Sequence, residues 1–265
     1  MIATTISQVT SALAWVFASP VAIVLFGVFV ASLLRGFTGF GFGLAAVPLL
    51  SLALPPAQVV PFVVVLQVVV GLGGLRAAWP HCDWRSVGGL APGLVMGIPL
   101  GLVVLTHLPP NPVRLAIGLI IAASVVLLAK GAHLPRRPSR GLTVATGLLS
   151  GVISGLASMG GPPIVVYLLA LGHGAAVVRA TSIVFFMLSG MVSVVPMSFA
   201  GLIDHDVLVW SALSVPVLFG GSWLGTWGFH RARPHHHRMT ALIVLSVLAV
   251  VLIARSLLAQ VEILG

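Results

Sequence analysis

Long apolar runs follow one another along the whole chain, and they limit its possible folds more than any other feature. Residues 59–75 carry no charge, and residues 239–258 carry one arginine. A helix needs about 20 apolar residues to cross the hydrocarbon core, whereas strands of a membrane β-barrel are shorter and alternate apolar with polar residues. Because these runs do not alternate, the sequence predicts an all-α, polytopic membrane protein.

Composition excludes a soluble domain and a nucleic-acid binder. Charged residues make up 6% of the chain, against about 25% in a soluble domain. The net charge of +9 comes from basic residues that mostly separate the apolar runs, where such residues set the orientation of a membrane protein. The single cysteine, Cys82, excludes an internal disulfide and a cysteine metal cluster. No basic stretch precedes the first apolar run, so we expect no cleaved signal peptide.

Ten apolar segments divide the chain. The second and the seventh are short and begin in glycine-rich sequence. The segments cover residues 20–34, 40–54, 57–79, 87–106, 113–130, 142–155, 161–171, 180–201, 207–229 and 239–258.

The two halves of the chain resemble each other. The stretch VPLLSLALPPAQVV, which begins at Val47, aligns with VYLLALGHGAAVV, which begins at Val166. The same spacing of 119 residues pairs two glycines, and a spacing of 124 pairs further residues in the same order: Gly36 with Gly155, Gly41 with Gly160, Pro92 with Pro216, Gly101 with Gly225, and Arg114 with Arg238. We therefore predict two five-segment repeats, 1–130 and 141–265, joined by a basic cytoplasmic linker, 131–140.

Loop charge indicates that the second repeat is inverted relative to the first. If each repeat crosses the membrane five times, the loops of one side contain one acid, Asp83, and ten basic residues: Arg76, Arg85, Lys130, Arg136, Arg137, Arg140, Arg179, Arg231, Arg233 and Arg238. Basic loops stay in the cytoplasm, so we expect a bacterial-type inner-membrane protein with outward termini. If the short segments instead re-enter, each repeat crosses four times, and the basic loops fall on opposite sides, against this rule.

Two glycine-rich breaks precede the short segments, at 35–43 (RGFTGFGFG) and 154–163 (SGLASMGGPP). Glycine and proline at this density interrupt a helix and leave peptide groups unpaired, which lipid cannot satisfy. A helix that begins inside the membrane presents free N–H groups and the positive end of its dipole. The paired breaks therefore predict an anion site between the repeats. The alternative is that the glycines only allow close helix packing.

These motifs resemble a known family. GFTGFGFGLAAVPLL in the first half and SGLASMGGPPIVVYLL in the second are similar to the paired signatures of the TauE/SafE sulfite exporter family (4-toluene sulfonate uptake permeases), over nearly the whole chain. The resemblance implies a carrier for sulfite, sulfonates, sulfoacetate or related anions. We expect export by alternating access; the alternatives are an uptake permease for a sulfonate or carboxylate, and a non-transporting membrane assembly protein.

The breaks and two polar side chains supply the predicted substrate-binding residues: Arg35, Thr38, Gly39, Gly41, Gly43, Gln67, Ser154, Ser158, Gly160, Gly161 and Pro162. Arginine binds sulfonate or carboxylate with two parallel hydrogen bonds, although Arg35 could instead reach the headgroups from the cytoplasmic end of its helix. The amide of Gln67 contacts either substrate or a neighbouring helix. Tyr167 is assigned either to the cavity or to helix packing. His173 and Arg179 are assigned to the membrane–water interface.

No other chemistry is expected. The histidines of the 235–237 run point in different directions on a helix and lack an acid or thiol partner, so we predict no metal site and no cofactor. No acid lies inside an apolar segment, which leaves neither a proton relay nor a catalytic constellation; the chain is not expected to be an enzyme. The expected partners are a small anion and the lipid bilayer, but not nucleic acid. A homodimer is left open.

The lack of membrane acids predicts that transport follows the membrane potential more than the pH gradient. An inside-negative potential drives each negative charge outward by about 2.3 kcal/mol per 100 mV. Counterflow in liposomes under a potassium–valinomycin potential measures this dependence. Rates set by pH and indifferent to potential would contradict it.

Overall fold

The computed structural model describes residues 20–38, 41–130, 138–231, 250 and 254. Within these ranges the chain is helical and contains no strand, which confirms the all-α prediction. A 3-10 turn, Trp79–His81, follows the third helix. The helices are α1 (Pro20–Thr38), α2 (Phe42–Ser51), α3 (Pro56–Ala78), α4 (Trp84–His107), α5 (Pro110–Lys130), α6 (Arg140–Ala157), α7 (Gly161–Ala170), α8 (Ala175–Phe199) and α9 (His205–Arg231).

Each of the first nine predicted segments corresponds to one of these helices. Five stretches are long and apolar enough to cross a membrane: Pro56–His81, Trp84–His107, Arg140–Ala157, Ala176–Phe199 and His205–Gly228. The two short segments form helices of ten residues each, α2 and α7. The tenth segment, the 235–237 histidines and most of the linker, 131–137, lie outside the described residues. The chain is a multi-pass membrane protein.

Three of the long helices, α4, α6 and α9, begin with a side-chain cap, and the short helices do not. The Asp83 carboxylate accepts hydrogen bonds from the first amides of α4, and the Ser139 hydroxyl accepts one at the start of α6. Such caps satisfy amides that have no acceptor within the helix. No side chain caps the start of α2 or α7, a feature that the two short helices share with the long helices α3 and α8.

Helices α4 and α6 run parallel and pack so closely that their backbones are in contact. Each contributes a glycine at every fourth position, and a methyl group on any of these glycines would meet the backbone of the other helix: Gly93, Gly97 and Gly101 in α4, and Gly147, Gly151 and Gly155 in α6. Small residues at this spacing allow helices to approach closely in a membrane. Close helix packing therefore accounts for these glycines, including Gly155, which belongs to the second break.

Equivalent contacts recur in the other half of the molecule. Gly155 of α6 fits against the backbone of Ile98 and Leu102, and Gly36 of α1 fits against Ser222 and Thr226 of α9. The spacings of 119 and 124 residues relate these two sets of positions.

Helices α3 and α8 cross in the same equivalent manner. Gly71 faces the Met187 side chain, and Gly190 faces Val68; both pairs of equivalent positions, 71 with 190 and 68 with 187, are 119 apart. Three helix pairs (α1 with α9, α4 with α6, and α3 with α8) thus make matching contacts in the two halves. The inversion of the second repeat stays a prediction.

The connecting segments gather on two opposite faces. On one face, the Arg114 Nε atom at the start of α5 donates to the Ser51 carbonyl oxygen at 2.8 Å, and Leu54 and Asp204 line one groove. On the other, His173 Nε2 lies 3.1 Å from Asp83 Oδ2. Leu54 and Asp204 thus lie on the same face, as expected if the short segments cross the membrane; whether these segments span or re-enter stays a prediction.

The α4–α6 contact predicts a stability test. In Gly97→Ala the new methyl group would lie 2.7 Å from the Val152 amide nitrogen and 2.9 Å from the Gly151 Cα. Because backbone cannot move aside cheaply, we expect a loss of about 1–3 kcal/mol, measured by thermal unfolding in detergent. Gly220→Ala is the control, since nothing lies within 4 Å of its new methyl group. Equal melting temperatures for the two variants would contradict this packing.

Candidate functional site

The two glycine-rich breaks meet beside the middle of α3. A methyl group on Gly43 would run into the Ser158 carbonyl oxygen. The Ser158 hydroxyl donates to Gln67 Oε1 at 3.3 Å, and Gln67 lies half-way along α3. Its Nε2 atom donates to the carbonyl oxygen of Phe186, 119 residues further on, at 3.1 Å. Gln67 therefore contacts the neighbouring helix α8 at Phe186, the residue that the 119-residue spacing makes equivalent to Gln67. It also faces the breaks.

The backbone is unusual on both sides of this meeting point. Gly41 precedes α2 with φ of 92°, and Ser158 follows α6 with φ of 52°. Ser158 is the one non-glycine residue with positive φ in the described part of the chain. That conformation costs an ordinary residue about 1–2 kcal/mol. Such strain is concentrated at functional sites, and here it turns the chain from α6 into α7.

The start of α2 is an anion-favouring end. Its first-turn amides, those of Phe42, Gly43 and Leu44, have no acceptor within the helix, and no side chain caps them. All three residues line the central cavity. Unsatisfied N–H groups and the positive end of the helix dipole both favour negative charge.

The start of α7 is poorer in donors. Pro162 and Pro163 occupy its first turn and carry no N–H group. Gly161 lines the cavity, whereas Pro162 does not. The two helix starts that the sequence presents as equivalent are therefore unequal, and the donors are concentrated on α2.

Buried serines that do not line the cavity form hydrogen bonds with the second break. The Ser189 hydroxyl of α8 donates to Ser154 Oγ at 2.9 Å, and the Ser150 hydroxyl donates to the Gly160 carbonyl oxygen. Ser154 and Gly160 thus hold the break against its neighbours instead of lining the cavity. The sequence reading omitted Ser150 and Ser189. The spacing of Ser150 and Ser154, one helical turn apart on α6, is the signal that indicates a polar face.

The central cavity encloses about 20 Å³, which is close to the smallest space that holds one water molecule. Six of the eleven predicted residues line it: Arg35, Gly41, Gly43, Gln67, Ser158 and Gly161. Its other walls come from Phe42, Leu44, Val70, Gly71, Met159, Ile183 and Phe186, which carry no polar side chain and therefore gave no signal in the sequence. Gly39 lies outside the described residues, and α1 ends at Thr38, whose side chain is not described.

A wider vestibule of about 520 Å³ adjoins the cavity on the His81 face. Arg35, Val70 and Ile183 line both spaces, so Arg35 lies where the vestibule meets the cavity. Its guanidinium faces the Val70 carbonyl oxygen at 3.4 Å, near the middle of α3. Arg179, which the sequence assigned to the interface, also lines the vestibule.

The remaining candidates lie away from the cavity. The Tyr167 hydroxyl is 2.9 Å from Thr143 Oγ1, so this tyrosine takes part in packing between α6 and α7. His173 contacts the Asp83 carboxylate. Burial raises the pKa of Asp83, but hydrogen bonds from Ser86 and the nearby His173 outweigh it and hold the pKa below its usual value.

Comparison with known proteins identifies the family. The family model described as sulfite exporter TauE/SafE matches residues 23–252. A protein of Cupriavidus necator named "Probable sulfite/organosulfonate exporter TauE" is 29% identical over 194 residues, which are 71% of this chain and 76% of that protein. No solved structure matches the chain significantly. The matched region begins within α1 and includes both breaks and the whole cavity.

Proposed function

Because the chain belongs to the sulfite exporter TauE/SafE family, whose members are transporters and not enzymes, we propose that its cavity binds a small sulfur-containing or organic anion for export. The observation that carries the proposal is the position of Arg35, between the cavity and the vestibule. Sulfite, sulfonates and sulfoacetate are the proposed substrate class.

The donors around the cavity suit an oxyanion with several oxygens. The planar guanidinium of Arg35 matches a sulfonate or carboxylate with two parallel hydrogen bonds. The amides at the start of α2 offer further donors, and the Ser158 hydroxyl lies beside them. In this arrangement one arginine, a helix start and a hydroxyl replace the cluster of cations that an anion site in water would need, because the site is surrounded by apolar walls.

The size of the cavity indicates that substrate binding involves a second conformation. A space of about 20 Å³ accommodates roughly one water molecule, whereas sulfite has three oxygen atoms around sulfur. The vestibule of about 520 Å³ is large enough for the anion. We infer that the anion enters the vestibule first and that the breaks move apart to admit it.

The repeat supports alternating access as the mechanism. The equivalents of Arg35, Val70 and Gly74, at a spacing of 119 residues, are Ser154, Ser189 and Ser193. The first three line the open vestibule, whereas the three serines are buried. Equivalent paths are thus open on one side and closed on the other. An exchange of the two packings would open the serine path and close the arginine path.

The open path faces the side that we assign to the cytoplasm. Arg179 lines the vestibule, and His81 marks its mouth, on the face that also carries Asp83 and Arg85. Basic loops mark the cytoplasmic side of an inner-membrane protein. Loading from this side fits export; uptake would use the same site in the opposite direction.

Arg35 provides the first test. We expect Arg35→Gln to weaken anion binding about ten- to hundred-fold, because it removes charged hydrogen bonds worth about 1.5–3 kcal/mol. Arg35→Lys should retain part of the affinity. Sulfite and sulfoacetate counterflow in liposomes measures both. Arg76→Gln is the matched control, since Arg76 is an exposed arginine near the end of α3. Unchanged counterflow in Arg35→Gln would move the site elsewhere.

Cysteine labelling tests alternating access. In a Cys82→Ser background, Ala77→Cys lies in the exposed lining of the vestibule, and Ser193→Cys lies on the closed path. A membrane-impermeant thiol reagent should label Ala77→Cys from the cytoplasmic side at once. It should label Ser193→Cys only from the outer side, and several-fold faster when substrate is being transported. Labelling of Ser193→Cys that ignores both side and substrate would contradict the exchange.

A further inference from the structure

A second basic space lies on the predicted cytoplasmic face, apart from the central cavity. It is a groove of about 660 Å³ between the starts of α4 and α6, bordered by the end of α7. Arg85 and Arg140 line it, and Tyr167 closes it on the inner side. It shares no lining residue with the central cavity, so it is a separate space.

The groove concentrates positive charge. The glycine contacts hold α4 and α6 together in parallel, so two positive helix ends lie side by side. Arg140 is the first residue of α6 and Arg85 the second of α4, where the helix dipole disfavours a cation. Among the described residues, neither guanidinium has an ion-pair or hydrogen-bond partner.

One acid lines the groove, and it does not neutralise these charges. The Asp83 carboxylate accepts a hydrogen bond from the Ser86 hydroxyl at 2.5 Å and contacts His173 at 3.1 Å. It also caps the amides of Arg85 and Ser86. Its oxygens are therefore directed toward the start of α4 and toward His173, which leaves the two exposed guanidinium groups available to an anion.

The surrounding side chains place the groove at the membrane surface. Trp79 and Trp84 contact each other in a tilted arrangement, with ring centres 4.4 Å apart, and are 55% and 44% exposed. Exposed tryptophans of this kind mark the headgroup level of a bilayer. Val144 lines the groove, and Met96, further along α4, is 65% exposed. The groove thus leads from basic headgroup level to an apolar, lipid-facing surface.

We propose that this groove binds the headgroup of an anionic phospholipid of the inner leaflet. The phosphate would lie between Arg85 and Arg140, with the acyl chains running along the apolar side of α4 and α6. Basic pockets between helices on the cytoplasmic side bind such headgroups. A soluble phosphate would use the two arginines but not the apolar side, so the groove is better matched to a lipid than to a free anion.

Lipid titration of the purified full-length protein tests the arginines. Phosphatidylglycerol, but not phosphatidylcholine or inorganic phosphate, should raise the melting temperature in neutral detergent. Each arginine near the surface contributes about five-fold in affinity, so the double variant Arg85→Gln/Arg140→Gln should bind phosphatidylglycerol about 25-fold more weakly. Arg76→Gln, which removes a charge outside the groove, should bind it normally.

A filled groove provides a second, charge-independent test. Gly88 lines the groove, and nothing lies within 4 Å of a methyl group placed on it, so Gly88→Leu should fold and occupy the lipid's space. Gly141→Leu is the control, because Gly141 is equally open but does not line the groove.

The outcomes of these two experiments separate the alternatives. Loss of the phosphatidylglycerol effect in Gly88→Leu and in the arginine variant, with both controls normal, supports the lipid site. If phosphatidylglycerol still raises the melting temperature of both variants as it does for the unmodified protein, the lipid site is overturned. An equal effect from inorganic phosphate also overturns it, since the groove would then bind a free anion and not a lipid.

Discussion

Hydrocarbon offers no hydrogen-bond partner, so the peptide groups of this chain must be satisfied by protein wherever a helix is interrupted. The two glycine-rich breaks meet each other beside the middle of α3, where protein surrounds them. Ser158 bonds to Gln67, which in turn bonds to the Phe186 carbonyl oxygen, and a set of serines supports the second break. The same burial that protects these groups from lipid also creates a small polar space between the two halves.

Close backbone contacts make that burial possible. Glycines at four-residue spacing bring α4 against α6, and Gly36 allows the matching contact of α1 with α9. Since these contacts recur at equivalent positions, the two halves share one packing scheme. The two halves differ at residues of the proposed site. Arg35 stands opposite Ser154, and the donor-rich start of α2 stands opposite the prolines of α7. In the proposed site, one half therefore supplies most of the hydrogen-bond donors, and the other half supplies mainly apolar walls.

Charged side chains of the described residues line two separate spaces, the central cavity and the groove at the starts of α4 and α6. In the described part of the chain, Arg35 is the arginine that reaches the central cavity, while Asp83, Arg85 and Arg140 lie at the starts of helices. A charge inside a membrane is costly and is kept where it has a role. Family membership shows that the protein is a transporter, and the position of Arg35 supports the small anion proposed as its substrate.

The sequence by itself determined the class of the protein. Runs of apolar residues and scarce charge fix a helical membrane bundle, because lipid tolerates few other structures. Glycine-rich motifs at matched spacing located the two breaks. Only the tertiary structure decided which break residues face the cavity. Gly43 and Ser158 do, whereas Ser154 bonds to Ser189 behind it. Local sequence cannot give this result, since the direction of a side chain at an interrupted helix depends on which distant helix packs against it.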